Sequence, residues 1–175
     1  GIACALEDKK NYEKIYKIKK RRFEKPLAIM VKNFAWLREN TELTDEQVDF
    51  LEQYDRPFTV LTNSVPVELF INFGDENEEH LINKDMYEQV AFRVANNDLQ
   101  ESLLNSTGPI WLTSANLSGA GETYDIETIE KDFEYYIDKN IVEVLGSMNL
   151  DSDIPASDII EFDGDSLDIR YLRKG

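Results

Sequence analysis

The sequence predicts an α/β protein in which helices pack on one twisted sheet of mixed parallel and antiparallel strands. The chain has 175 residues, of which 42% are hydrophobic, so it is long enough and apolar enough for a single packed domain over 1–175. Predicted strands outnumber predicted helices, and several strands follow one another with no helix between them. This order favours a mixed sheet over a doubly wound fold, in which strands and helices alternate strictly.

Five helices are predicted from apolar residues at helical spacing and from capping residues. Thr44 and Gln47 form a capping-box pattern at the start of one of them. In another, Leu99, Leu103 and Leu104 are expected to face inward. The predicted helices cover 8–20, 33–39, 44–54, 98–106 and 126–137.

Runs of aliphatic, aromatic and β-branched residues predict the strands. These runs cover 26–31, 57–62, 67–73, 89–94, 108–112, 141–145, 157–162 and 167–172. The apolar stretch from Ile2 to Leu6 is expected to lie inside the core.

Charge and composition exclude several functions. The chain carries 19 Lys and Arg against 35 Asp and Glu, and this net charge of −16 argues against a broad nucleic-acid-binding surface. Cys4 and His80 are the single cysteine and histidine, so a structural zinc site or a disulfide within the chain is excluded. His80 follows an acidic run typical of a solvated loop, which argues against a catalytic triad. No membrane span or signal peptide is visible, and a reducing cytoplasm is the expected compartment.

Positive charge is concentrated in one segment of this acidic chain. Six cations fall within nine residues at the end of the first predicted helix: Lys17, Lys19, Lys20, Arg21, Arg22 and Lys25. Cations near a helix C-terminus are favoured by the helix dipole, which explains one or two of them. A polyanionic small ligand such as a nucleoside triphosphate would explain the rest.

Arg93 stands inside the predicted strand QVAFRV, on the face that it shares with Ala91. An arginine in a central strand is costly unless it is paired. Its guanidinium suits a carboxylate or a phosphate, so both a structural ion pair and a ligand contact remain open.

The stretch TSANLSG, residues 113–119, follows a predicted buried strand. Ser, Asn and Gly are ordinary turn residues. The same residues also offer hydroxyl donors and let backbone N–H groups approach an anion, as in a phosphate cradle.

Four motifs occur in the order in which one enzyme family carries them: IKKRRFEKPLAI, VAFRV, TSANLSG and LRKG. In these motifs the chain resembles the YrdC-like threonylcarbamoyl-AMP synthases along its whole length. The resemblance implies a twisted α/β sheet around a large concave cavity. It also implies conversion of L-threonine, bicarbonate and ATP to threonylcarbamoyl-AMP and pyrophosphate, for the threonylcarbamoyladenosine modification of transfer RNA. The TSANLSG loop is then expected to cradle an anion.

The resemblance also implies roles for individual side chains. Catalytic roles would belong to Lys19, Arg21, Ser114 and Asn116. ATP would be bound by Arg21, Lys25, Asn116 and Arg173. Threonine or the carbamate would be bound by Arg93, Ser114 and Ser157.

The expected cofactor is Mg²⁺ bound to the triphosphate of the ATP substrate, and no dedicated protein cage for the metal is visible. The expected partners are L-threonine, bicarbonate, ATP and a tRNA-modifying transferase complex that takes the adenylate.

The chain departs from the family pattern in two places. The family has Gly and Pro where this chain has Lys20 and Arg22, so the loop is expected to run differently. Family members also carry a T-D-T-V-Y stretch just before the equivalent of GIACAL. Because this chain begins at Gly1, we expect it to be part of a longer protein and to lack an N-terminal strand segment.

Three other functions remain open. The segment KRRFEKPLAIM is close to the carbamoyl-adenylate domain of hydrogenase-maturation carbamoyltransferases. A non-catalytic relative would use the same residues to bind a nucleotide. A double-stranded RNA-binding module would need a concentrated patch formed by residues 17–25 and Arg93, and the net charge counts against it.

We therefore expect no binding of transfer RNA at physiological salt, because the surplus of negative charge repels a phosphate backbone over most of the surface. An electrophoretic mobility assay at micromolar protein checks this. A shift that disappears as the salt concentration rises would contradict it.

Overall fold

The computed structural model describes residues 1–63, 84–121, 123, 125–146 and 156–175. Within these ranges the strands are β1 Ile2–Ala5, β2 Ala28–Val31, β3 Phe58–Asn63, β4 Gln89–Val94, β5 Ile110–Thr113, β6 Asp158–Phe162 and β7 Ile169–Arg173. The helices are α1 Lys9–Lys19, α2 Phe34–Asn40, α3 Asp45–Glu52, α4 Asp98–Thr107 and α5 Ile126–Asp138, with a short 3-10 helix at Lys84–Tyr87. In these ranges no helix is long and apolar enough to cross a membrane.

All seven strands belong to one sheet in the order β1-β5-β2-β4-β3-β6-β7. The pairs β2–β4 and β3–β6 are parallel, and the other four neighbouring pairs are antiparallel. The predicted mixed sheet is therefore confirmed. Parallel neighbours such as β2 and β4 require a crossover connection, and α2, α3 and β3 lie between them in the sequence.

One face of the sheet carries the main apolar core. The register pairs Ile29 of β2 with Phe92 of β4, and both side chains are buried in this core. Residues from α1, α2 and α3 cover the same face, including Tyr12, Leu37 and Val48. The apolar residues at helical spacing in α1, α2 and α3 are thus the ones that pack against this face of the sheet.

Among the described residues, the opposite face carries a smaller apolar cluster. The register pairs Met30 of β2 with Arg93 of β4, and Met30 packs in a small cluster with Leu104 of α4. Side chains alternate between the faces of a strand, so Ala28 and Ala91 share the face of Met30 and Arg93. Both alanines are half-buried. Small, half-buried side chains thus lie on the same face as Arg93, which is called the open face.

Side-chain caps explain where the first helices begin. Asp8 accepts a hydrogen bond from the Asn11 N–H at 2.9 Å and begins α1. Thr44 and Gln47 exchange the two hydrogen bonds of a capping box at the start of α3, as predicted. Helix α1 ends at Lys20, whose φ of 51° lies in the left-handed region.

Three predictions about local structure are wrong. Residues 141–146 form no strand: Asn140 turns the chain at a φ of 53°, and Ile141 and Leu145 are exposed. Leu99 is 53% exposed instead of facing inward, although Leu104 is buried. Residues Ile2–Ala5 form the outermost described strand, and Ile2 and Cys4 are half-buried and pack against the core, so this stretch lies at the margin of the core rather than inside it. The strand predicted at 67–73 falls outside the described residues.

A chain of three buried tyrosines connects α1 to the start of β2. The Tyr12 hydroxyl is 2.8 Å from that of Tyr16 and 2.7 Å from that of Tyr87. Tyr16 donates to the Lys25 carbonyl at 2.9 Å, and Tyr87 accepts from the Leu27 N–H at 3.2 Å. Burial raises the pKa of all three phenols, so they stay neutral donors and acceptors.

Tyr12→Phe is expected to lower the free energy of unfolding by about 1–3 kcal/mol, because it leaves two buried hydroxyls without their shared partner. Urea denaturation checks this, with Tyr135→Phe as the control, since Tyr135 is 66% exposed. Equal stability of the two variants would contradict the structural role of the tyrosine chain.

Candidate functional site

The side chain of Lys19 joins the end of α1 to the loop that follows β5. Lys19 is buried, with 1% exposed. Its ammonium donates to the carbonyl oxygens of Ser114 and Asn116, at 2.5 Å for Asn116, and lies 3.5 Å from Asn116 Oδ1. The Lys19 carbonyl in turn accepts from the Ser118 N–H at 2.9 Å. Three predicted catalytic residues therefore lie together.

The Lys19 ammonium is held by neutral oxygens rather than by a carboxylate. Burial, and to a smaller extent the nearby Arg21 guanidinium, lowers the pKa of Lys19 to about 8. The side chain is therefore mostly charged at neutral pH, and it loses its proton in an accessible pH range.

Hydrogen bonds within the loop of residues 114–120 fix its shape. Ser114 Oγ donates to Asn116 Oδ1 at 2.5 Å, and Asn116 Nδ2 donates to the Ala120 carbonyl at 2.8 Å. Short polar side chains form such local bonds readily, which explains why this sequence makes a tight loop. Gly119 has a φ of 89°, a conformation that favours glycine. Asn116 is 8% exposed, whereas Ser114 is exposed.

The segment between α1 and β2 carries the other predicted phosphate-binding cations. Arg21 folds back on its own loop, where Nε donates to the Lys25 carbonyl at 3.2 Å and Nη2 to the Pro26 carbonyl at 2.9 Å. Lys25 is exposed. Lys20 adopts the left-handed conformation that a glycine in the family pattern would adopt without steric cost.

Arg93 lies on the open face of the sheet in β4 and is half-buried. Burial is the main cause of the lowered pKa of the Gly1 amino group. The positive charge of Arg93 lowers this pKa further, and that of Lys19 does so to a smaller extent. Both cations therefore lie within electrostatic range of the same nitrogen. The positive charges of Arg93 and Lys19 act on one region at the open face.

Ser157 and Arg173 contact each other beside β6 and β7, several strands away from β5. Arg173 donates to the Ser157 carbonyl through Nη2 at 2.7 Å and Nε at 3.3 Å. Four strand steps separate β6 from β5, or about 19 Å, and the strand directions place Ser157 and Ser114 at opposite ends of the sheet. The structure thus does not bring Ser157 and Arg173 close to Lys19, Ser114 and Asn116.

Asp158, which the sequence reasoning missed, holds the end of β7 beside Ser157. Its buried carboxylate accepts from the Tyr54 hydroxyl at 2.7 Å and from the Gly175 N–H at 2.9 Å, and Arg56 Nε lies 3.3 Å away. The available signal was an acidic residue at the start of an apolar strand.

The described residues contain no group of three or more His, Cys, Asp or Glu side chains placed to hold a metal ion. The charged side chains that the structure places at the candidate site are cationic: Lys19, Arg21 and Arg93.

Comparison with known proteins identifies the fold family. The family model for Sua5, YciO and YrdC, described as telomere recombination, matches residues 1–175. The chain belongs to the Sua5/YciO/YrdC family. A threonylcarbamoyl-AMP synthase from Vibrio campbellii is 24% identical over 136 residues, which cover 75% of this chain and 68% of that protein.

Two solved structures share the fold of this Sua5/YciO/YrdC chain. One is P. abyssi Sua5 complexed with L-threonine, with a TM-score of 0.70, 19% identity and 98% of this chain covered. The other is full-length HypF in the phosphate- and nucleotide-bound form, with a TM-score of 0.70, 20% identity and 98% covered. This chain spans about half of the Sua5 chain (46%) and a quarter of HypF (24%).

Asp158→Asn is expected to destabilise the protein most at neutral pH. Hydrogen bonds from Tyr54 and then from the Gly175 N–H lower the pKa of Asp158. A carboxyl whose folded-state pKa is lowered contributes stability above its ordinary pKa and loses it as the pH falls through the folded-state pKa. Denaturation from pH 7 to pH 2 checks this, with exposed Asp165→Asn as the control. A difference that does not shrink below about pH 4 would contradict it.

Proposed function

We propose that this chain is the synthase domain that forms threonylcarbamoyl-AMP and pyrophosphate from L-threonine, bicarbonate and ATP. The observation that supports this most directly is the contact of Lys19 with the loop of Ser114 and Asn116. Two separate family motifs meet there in one cationic site. Membership of the Sua5/YciO/YrdC family and the similarity to the Vibrio campbellii synthase support it as well.

The proposed reaction needs positioning and charge stabilisation rather than a covalent enzyme intermediate. The threonine amine adds to CO2, derived from bicarbonate, and loses a proton to form a carbamate. A carbamate oxygen then attacks the α-phosphorus of ATP, and the bond to pyrophosphate breaks. Three anionic groups, the triphosphate, the carbamate and the threonine carboxylate, must therefore approach one another in the site.

The cations of the site suit these three anions. Arg21 and Lys25 would bind phosphates from the segment before β2, and Arg93 would bind a carboxylate or the carbamate on the open face. Ser114 is exposed, so its hydroxyl can turn from Asn116 to a substrate oxygen. Mg²⁺ would enter with the triphosphate and neutralise part of its charge. Binding roles for Ser157 and Arg173 would require a ligand that extends across the face of the sheet.

A pyrophosphate-release assay with ATP and bicarbonate, with and without L-threonine, tests the proposed function. Release that depends on threonine supports it. ATP binding without turnover would instead support a nucleotide-binding relative that has lost catalysis.

Arg21→Ala is expected to weaken ATP binding or turnover by about 2–4 kcal/mol, the usual scale for a charge-assisted donor in a closed site. The matched control is Arg22→Ala, because Arg22 is exposed and paired with Glu24 at 3.3 Å. Unchanged ATP affinity and turnover in a folded Arg21→Ala protein would remove Arg21 from the site.

A second candidate is the formation of a carbamoyl-adenylate without threonine. The structural similarity to HypF and the segment KRRFEKPLAIM favour it. The same assay with carbamate itself, supplied as ammonium carbamate, in place of threonine and bicarbonate separates the two activities, because a carbamate oxygen can attack the α-phosphorus directly and pyrophosphate leaves.

A further inference from the structure

The two carbonyl groups that contact Lys19 determine where two backbone amides point. In a trans peptide unit the C=O and the N–H point in opposite directions. The carbonyls of Ser114 and Asn116 face the Lys19 ammonium. The N–H groups of the same two peptide units, those of Ala115 and Leu117, therefore point away from Lys19.

These two amides are available to a ligand. Within the described part of the chain, neither the Ala115 N–H nor the Leu117 N–H has a hydrogen-bond partner, whereas the Ser118 and Ala120 amides are both used. Ala115 and Leu117 are half-buried. Backbone amides that point away from their own loop can donate to an anion.

The Lys19 ammonium is directed at the loop. An ammonium group has three N–H donors, and three oxygens of the loop surround it. The amide side chain of Asn116 is similarly used, since it accepts from Ser114 and donates to Ala120. Both side chains are at least nine-tenths buried.

Resting on the proposed function, we propose that Lys19 and Asn116 are positioning residues. They hold the loop so that the N–H groups of Ala115 and Leu117, together with the Ser114 hydroxyl, contact the anionic oxygens of the substrate. Arg21, which does not hold the loop, contacts the phosphates directly. Loss of Lys19 thus disorders the amide site, whereas loss of Arg21 leaves the site formed but weakens binding.

Amide NMR spectra with and without ATP test this assignment. The variants are Lys19→Met, which removes the ammonium at similar length, and Arg21→Gln. The control is Lys17→Met, since Lys17 lies in the same last turn of α1 but is exposed. In the wild-type chain, ATP should shift the amide protons of Ala115 and Leu117 downfield.

In nucleotide-free Lys19→Met, the amides of residues 115–118 should shift and exchange faster with solvent, and ATP affinity should fall at least tenfold. Arg21→Gln should lower the affinity for ATP but leave the amide resonances of residues 115–118 unchanged. Lys17→Met should change neither the ATP affinity nor these resonances.

A pH titration of the wild-type chain gives a readout that needs no variant. The charged or titratable groups that act on Lys19 or on its surroundings are Arg21, Arg93 and the Gly1 amino group. The Ala115 and Leu117 resonances should move with a midpoint near pH 8, where Lys19 loses its proton. Acetylation of the amino terminus removes the contribution of Gly1, and the two arginines stay charged.

Two results would overturn the inference. One is a Lys19→Met protein that loses ATP affinity while its loop spectrum stays as in the wild type. The other is a wild-type chain that binds ATP with no shift at Ala115 and Leu117. If the wild-type chain bound no ATP at all, the proposed function and the substrate contacts would both be wrong. The nucleotide-free spectra would still decide whether Lys19 orders the loop.

Discussion

The contact between the Lys19 ammonium and the carbonyl oxygens of Ser114 and Asn116 joins the two segments that form the candidate site. These residues are 95 and 97 positions apart in the sequence. A buried charge without a carboxylate partner is costly, and here the dipoles of carbonyl groups offset that cost. The loop must therefore present its carbonyls to Lys19, and its outward surface follows from that constraint.

The same end of α1 is tied to the segment before β2 by the tyrosine chain. Tyr12 and Tyr16 pack on the core face of the sheet, while the Tyr16 hydroxyl holds the Lys25 carbonyl. Arg21 and Lys25 are thus tied to helix α1 through hydrogen bonds to their backbone. Such attachment lowers the entropy lost when a ligand binds, which suits the anion-binding role proposed for these two residues.

Charge is distributed unevenly between this region and the rest of the molecule. Nine of the 19 lysines and arginines lie in residues 9–25, together with two of the 35 acids. The remainder of the chain is strongly acidic. A small anion would therefore be attracted to this one segment, while an extended polyanion would meet repulsion from most of the surface.

Local patterns in the sequence determined the helices, their caps and several strands, including Gln89–Val94 with its observed bounds. Caps and periodicity depend on residues a few positions apart, so they can be read from one segment.

The grouping of Lys19, Ser114 and Asn116 followed from the motifs, but the direction of the Lys19 side chain did not. Sequence alone also failed at 141–145, where the residues favour a strand but pair with none of the described strands. It did not reveal that Ser157 and Arg173 lie on a distant part of the sheet. Strand pairing, burial and side-chain partners depend on contacts between distant segments, and only the tertiary structure decides those contacts.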